Sequence, residues 1–358
     1  MTEDGHEVRV LVRPTSVLCP PSSVVRSQQG SALVIALWVL LVLAILIGTF
    51  AYDMRIESEV TTYARNRYKA EYLARAGVEW AKLALAKKVA DPGEGGELIL
   101  EEGDDEVLAI AALNISRGVG VSGVKKELGE GTFELSLLPE EGRRNVNKLE
   151  DADWEEILDQ ANVPEELWPE LIDCFNDWID EGDAMRLNGA ESDDSFYKGR
   201  GYKCKNAPLD TVEELLLIKG FHEGIVFGEP AEKPDEPPLL GIAPWLTTWG
   251  EGKVNVNTAS AEVLLTIPDI EQESVDEILE RRNGVDGDPN TMDDGIKDLG
   301  QIPGLTAAMS ERLSVSERKY VRVISMGEVN DVRYGVWAIL QADGGNTKAV
   351  FWREEQMP

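Results

Sequence analysis

The 358-residue sequence predicts an α+β protein carried on one long N-terminal helix. Three observations predict this. A charge-free apolar stretch from Ser31 to Ala51 passes without a turn signal into a second helical pattern at 52–89. Alternating apolar and polar residues mark a strand at 132–138 and further strands near the C-terminus. Between them, the segment 142–315 has helical rather than strand periodicity.

Taken in order, the apolar stretch is long enough to cross a bilayer, since about 20 residues at ~1.5 Å each span the hydrocarbon. Three readings stay open for it: a secretory signal peptide cut near Thr49 and Ala51, a plain signal anchor, and an anchor processed on its N-terminal side. Residues Ile56, Val60, Tyr63, Ala64, Arg67, Ala70, Ala74, Val78, Ala81 and Leu85 then recur at helical spacing, and Asp91-Pro92-Gly93 ends the helix. From 94 to 131 the pattern is mixed: 97–100 and 107–113 are short apolar runs, and 118–123 reads as loop. Phe133, Leu135 and Leu137 alternate with Glu134 and Ser136, which predicts a strand.

The helical segment carries two internal echoes. Asn145-Val146-Asn147 and Asn255-Val256-Asn257 each precede an amphipathic stretch, and an Asn or Thr is expected to cap the amides that follow. Leu209 to Phe221 and Gly295 to Leu305 both end apolar-x-Gly-apolar. The echoes predict a duplicated domain whose halves are joined by the proline-rich linker at about 229–240. Three strands follow, at 320–326, 332–340 and 348–352, with turns at Asn330-Asp331 and Asp343 to Asn346. The simplest architecture places these and the 132–138 strand in an antiparallel sheet against the long helix, with the helical segment inserted into that sheet domain.

A net charge of −31 sets phosphate-bearing partners against the chain, so neither nucleic acid nor anionic lipid headgroups are expected ligands. It is compatible with divalent cations. The segment 173–194 gathers Asp177, Asp180, Glu181, Asp183, Glu191, Asp193 and Asp194 around Gly182, Asn188 and Gly189. Carboxylates this dense repel one another unless a cation intervenes, and calcium takes many oxygen ligands in flexible geometry. The alternative is an exposed acidic loop. A second acidic stretch, Asp286 to Asp294, starts like an EF-hand but has Thr291 at the turn-glycine position and Lys297 at the bidentate-Glu position, so a solvated hairpin is expected. Of the three cysteines, Cys19 precedes the apolar helix, which leaves Cys174 and Cys204. In an exported domain these are either a disulfide or two unrelated thiols. Catalysis has no support: the histidines are His6 and His222, and no phosphate loop, hydrolase elbow or dinucleotide fingerprint is present, so the chain is not expected to be an enzyme.

Gln28-Gln29-Gly30 directly before the apolar helix resembles the processing site of type IV prepilins and pseudopilins. There a prepilin peptidase cuts after the glycine, which implies Gly30 as the last leader residue and Ser31 as the mature N-terminus. Orientation rests on this resemblance, because Arg9, Arg13 and Arg26 before the helix are balanced by Arg55, Arg65, Arg67 and Lys69 after it. The leader is long for the family, and Val24 or Val25 is a candidate translation start. Most pilin-like chains carry Glu five residues after the cut; here Ile35 stands there.

That departure, Val254 to Val263, and Asp177 to Asp183 leading into Asn188 to Glu191 together resemble the general secretion pathway protein K family, minor pseudopilins of type II secretion. The resemblance covers nearly everything from Gln28 onward. It implies a leader at 1–30, a transmembrane part at 31–51, a pilin-like helix and first strands at 52–141, a large α-helical insertion (SAM-like, helix-hairpin-helix-like) at 142–315, and closing strands at 316–358. It implies a single-pass inner-membrane protein with its bulk in the periplasm, sitting at the pseudopilus tip. The implied partners are the other minor and major pseudopilins and prepilin peptidase, with secreted proteins as a further candidate. The family also implies calcium in the insertion, with Asp180, Asp183, Glu191 and Asp193 as first ligands and Asp194 and Asn206 behind them. Two alternatives remain: a membrane-anchored helix-hairpin-helix DNA-uptake receptor, which the acidic surroundings of 255–304 oppose, and a signal-anchored structural protein unrelated to secretion.

Overall fold

The structure is a computed structural model that describes residues 29–91, 98–100, 103, 105–231, 233, 237–316, 318–343 and 346–356. The leader up to Gln28, Cys19, the helix-ending Pro92-Gly93, the heart of the 229–240 linker and Gly344-Gly345 lie outside the described residues. Two compact units divide the chain, 1–62 and 63–358. Helix α1 is assigned from Gln29 to Ala86. In the first unit it presents apolar side chains to the outside, with Leu33, Trp38 and Phe50 each about two-thirds exposed. Arg55 and Glu59 pair one turn apart at 2.9 Å.

The second unit holds an antiparallel sheet. Helix α2 (Glu106–Ser116) precedes strands β1 (Val121–Leu128) and β2 (Gly131–Pro139). A long helical region follows, and the chain then returns with β7 (Tyr320–Val329), β8 (Val332–Asp343) and β9 (Asn346–Gln356). The order is β1-β2-β7-β8-β9, so β7 inserts next to β2 across the whole intervening region. The expected strands are present and longer than their alternation indicated. Two elements differ from expectation. The loop expected at 118–123 runs into β1, an edge strand with a register shift between Val121 and Val124 and with Lys125, Lys126 and Glu127 along it. Charges and a bulge suit an edge strand and hide its period from the sequence. The 107–113 run is helix α2, capped by the Asp105 side chain, which accepts from the Leu108 amide at 3.3 Å. The β7–β8 turn uses Asn330 and Asp331 at φ 47° and 65°, the left-handed pair of a tight hairpin.

One face of the sheet packs on α1. Ala70, Leu73, Ala74, Val78, Ala81 and Ala84 of the helix meet Phe133, Leu135, Leu137, Val321, Val323, Val336 and Leu340. Small residues dominate the helix side because the backbones nearly touch. A Cβ on Gly327 would overlap the Ala70 carbonyl, and one on Gly77 would overlap the Ser325 hydroxyl. Each large apolar side chain buried here contributes roughly 1.5–3 kcal/mol. A polar clamp closes the far edge: the Glu354 carboxylate of β9 accepts from Arg75 of α1 at 3.1 Å, from the Tyr334 hydroxyl at 3.1 Å and from the Trp352 indole at 2.7 Å.

The region between β2 and β7 has its own apolar core. Strand β3 (Arg144–Asn145), α3 (Asp151–Gln160), α4 (Trp168–Ile179), α5 (Ser195–Arg200), α6 (Glu223–Phe227) and β4 (Leu246–Thr247) are followed by β5 (Val254–Asn255), α7 (Ala261–Leu265), α8 (Gln272–Arg281), α9 (Ala307–Arg312) and β6 (Leu313–Ser314). Trp154 sits 4.7 Å from Phe175 and 5.8 Å from Phe221, ring to ring. The short strands pair in parallel, β3 with β4 and β5 with β6. The echoed asparagines do related work in each copy. Asn145 and Asn255 accept from the amides of Asn147 and Asn257 at 3.0 Å. Asn147 then exchanges two hydrogen bonds with the Leu209 backbone, and Asn257 exchanges two with Ile296. The helix caps lie elsewhere than expected: Glu150 with Asp153 caps α3, and Ser260 caps α7. The asparagines instead tie the two echoed segments of each copy together.

Candidate functional site

The acidic segment forms the connection between α4 and α5. Helix α4 buries Leu171, Ile172, Cys174, Phe175 and Trp178 along one stripe, and Asp177 falls on that stripe with no exposed surface. A buried carboxylate needs donors, and the loop folds back to supply them. The Arg186 amide donates to Asp177 at 3.1 Å, and Asn188 donates to Asp173 from both its amide and its side chain at 3.0 Å. The Arg186 guanidinium pairs with Asp151 at 3.2 Å and with Asp173 at 3.6 Å. Gly189 lies so close to Asp177 that a Cβ would overlap the carboxylate. Sequence reading counted Asp177 in the acidic cluster without giving it a role; its signal was its place on the apolar stripe of α4.

This folding carries Glu191 inside, 4% exposed, and neither of its carboxylate oxygens has a hydrogen-bond partner. Burial pushes its carboxyl above the usual range, and the charges of Asp177, Asp180 and Asp183 push it further. Asn206 joins the same loop from the other side. Its amide donates to the Trp178 carbonyl and its side-chain NH₂ to the Gly182 carbonyl, which leaves its buried Oδ1 without a donor. Glu191 and Asn206 thus hold oxygens that only accept, a donor type a hard cation such as calcium takes, although among the described residues it is Asp286, Asp293 and Asp294, not this loop, whose carboxylate oxygens lie within 4.8 Å of one another.

The remaining expected ligands are arranged differently. Asp180 stays exposed, its Oδ1 accepting from the Gly182 amide at 2.9 Å, and Asp183 and Asp193 are exposed. Asp194 is otherwise engaged: it caps α5 through the Phe196 amide at 2.7 Å and pairs with Lys219 at 3.6 Å, which holds its carboxyl below the usual range. The disulfide is not formed. Cys174 and Cys204 are both buried and free, and their thiols face the Asn188 carbonyl at 3.7 Å and the Ala190 carbonyl at 3.6 Å. Burial pushes the Cys174 thiol up to about 12. Both cysteines thus brace the segment that delivers Glu191.

The second acidic stretch is solvent-exposed along most of its length, as expected, and closes on itself at its end. Oxygens of Asp286, Asp293 and Asp294 gather within 4.8 Å of one another, and Asp294 is buried. The Thr291 amide and hydroxyl and the Val285 amide donate to Asp293 and Asp294 at 2.6–3.2 Å. The backbone amides of Asn257 and Ile296 are engaged internally, by the side-chain oxygens of Asn255 and Asn257. Gly30 and Ser31 lie within the first turn of α1 as assigned.

Together these features define a class: an α+β protein with a long N-terminal helix packed on an antiparallel sheet, a helical domain inserted between its strands, and, among the described residues, one helix long and apolar enough to cross a membrane. The sequence model of the family described as type II secretion system, protein K, matches residues 131–226. A chain of the crystal structure of the GspK-GspI-GspJ complex from the type 2 secretion system of enterotoxigenic Escherichia coli shares the fold, with a TM-score of 0.52 and 14% identity over 85% of this chain and 100% of that one. No curated protein matches. The resemblance to type II secretion protein K is thereby shown, in sequence across β2 and the first half of the inserted region and in fold across most of the chain.

Proposed function

We propose that the protein is a minor pseudopilin of a type II secretion system, assembled at the tip of a periplasmic pseudopilus and required for protein export across the outer membrane. The observation that carries this reading is the combination of Ile35 on an uncharged anchor helix with a helical domain of about half the chain inserted between β2 and β7. The role is assembly, not catalysis. Residues 31–51 sit in the inner membrane after a prepilin peptidase cuts between Gly30 and Ser31, and the exposed apolar side chains from Leu33 onward pack against the helices of other pseudopilins. A carboxylate in lipid is costly without a partner, so a subunit without Glu at 35 needs no neighbour beyond it, which suits the end of a fibre. The inserted domain, SAM-like in its two echoed halves, is wide and acidic enough to hinder a further subunit.

Calcium is the cofactor this reading assigns to the insertion. Glu191 and Asn206 would hold it, with Asp180, Asp183 and Asp193 as further candidate ligands. When bound it supplies the positive charge that the buried acceptors lack. Asp177, Asp173 and Gly189 keep the loop in register for it.

The test is N-terminal sequencing of the chain co-expressed with a prepilin peptidase, beside Gly30→Leu. A start at Ser31 that depends on the peptidase and disappears in the variant is expected. An intact leader, or a start at Tyr52, would overturn the pseudopilin assignment.

A further inference from the structure

The sheet face turned away from α1 carries a second feature. Arg322 of β7, Trp337 of β8 and Phe351 and Arg353 of β9 line it together, as their register requires: Trp337 lies opposite Arg353, and Ile339 opposite Phe351. The insertion covers this face with Arg143 and Trp249, leaving a cleft of about 170 Å³. Its charge runs against that of the molecule. Three of its walls are arginines, in a chain with 66 acidic and 35 basic residues.

Arg143 is the anomaly. It is half-buried, and among the described residues its guanidinium makes no side-chain hydrogen bond or ion pair. The nearest carboxylate is already committed: Glu140 takes a two-pronged pair from Arg322 and a 2.6 Å hydrogen bond from the Thr247 hydroxyl. Burial and the Arg322 charge press the Arg143 guanidinium down to about 10. The Trp337 indole N–H is also buried without an acceptor. Of the carboxylates at the cleft, Asp210 is held by Lys205 at 2.7 Å and Glu213 is exposed. A half-buried guanidinium whose five donors find no side-chain acceptor is free to offer them to a group that enters the cleft.

We propose that this cleft receives a carboxylate presented by a protein partner, the chain terminus or acidic side chain entering between Arg143 and Arg353 against Trp249 and Phe351. The volume selects an end group rather than a whole small molecule, since cavities for small ligands run from roughly 300 Å³ upward. Guanidinium forks match carboxylates two-pronged, and the aromatic walls take the adjoining apolar carbon.

The experiment uses the full chain in detergent micelles, titrated calorimetrically with N-acetylphenylalanine, its amide, acetate and inorganic phosphate. The acid is expected to bind, the amide not at all, and acetate and phosphate at least tenfold more weakly. Arg143→Met is expected to weaken the acid at least tenfold while melting, without probe, no lower than wild type, because it removes a half-buried charge that makes no ion pair. Arg353→Met gives a second, solvent-facing variant and is expected to weaken binding without changing the melt. Binding of the amide equal to that of the acid, binding of phosphate or acetate as tight as the acid, wild-type affinity in both variants, or a lower melting temperature for Arg143→Met would each overturn the proposal.

Discussion

Glu191→Gln separates a metal-holding loop from an ordinary acidic one. The side chain is 4% exposed, both oxygens lack donors, and Asp177, Asp180 and Asp183 repel its charge. An unmet buried acceptor costs about 1–3 kcal/mol. In chelator, the neutral isostere removes the charge and its repulsion but still buries an amide. The variant should therefore be more stable than wild type by about 1 kcal/mol, at the low end of that range. With calcium at about a hundredfold excess over its dissociation constant, wild type should gain about 2.7 kcal/mol. For a unit of this size that is a rise of roughly 4–5 °C in melting temperature. The variant should gain little, so the order of the two proteins reverses between chelator and calcium. Scanning calorimetry of the full chain in detergent, with EDTA or calcium, measures all four values. A wild-type melt indifferent to chelation, or an equal calcium shift in both proteins, would refute the reasoning.

Other perturbations test the scaffold. Gly189→Ala should lower stability by about 1–3 kcal/mol in urea unfolding, because its Cβ displaces the Asp177 carboxylate from the Arg186 amide. Gly327→Ala should be worse, at the top of that range or beyond, since the obstacle is the α1 backbone at Ala70 rather than a side chain; soluble yield and the urea midpoint report it. The Glu354 carboxyl is held below its ordinary value, first by the Arg75 hydrogen bond and then by the Trp352 indole. Its contribution is therefore present above the unfolded carboxylate value near 4.5 and is lost as pH falls through the folded one. Glu354→Gln should cost about 1 kcal/mol at pH 7, reduced from a fully buried charged bond because Arg75 is two-fifths exposed, and should flatten the acid limb of stability against pH.

Legibility followed the range of the forces involved. The apolar period of 31–51, the alternation of Phe133, Leu135 and Leu137, and the Asn330-Asp331 turn are local statements that one stretch makes about itself, and the structure contains the corresponding elements. Strand β1 was illegible because its edge position leaves only Val121 and Val124 as buried strand-face residues, with a bulge between them. The echoed asparagines were visible, but their task was not. Whether Asn147 caps a helix or grips Leu209, 62 residues away, depends on where the chain returns.

The acidic loop shows the same division. The sequence by itself determined that carboxylates crowd 173–194 and that some neutralising partner suits them, because charge density is written in composition. Only the tertiary structure decided which ones face inward. Asp194 became a helix cap, Cys174 and Cys204 remained separate thiols, and Glu191 alone was carried into the interior without a donor. Burial is a property of the packed chain, set when α4 and the 204–206 segment close over the loop, and no count of charges along one dimension contains it.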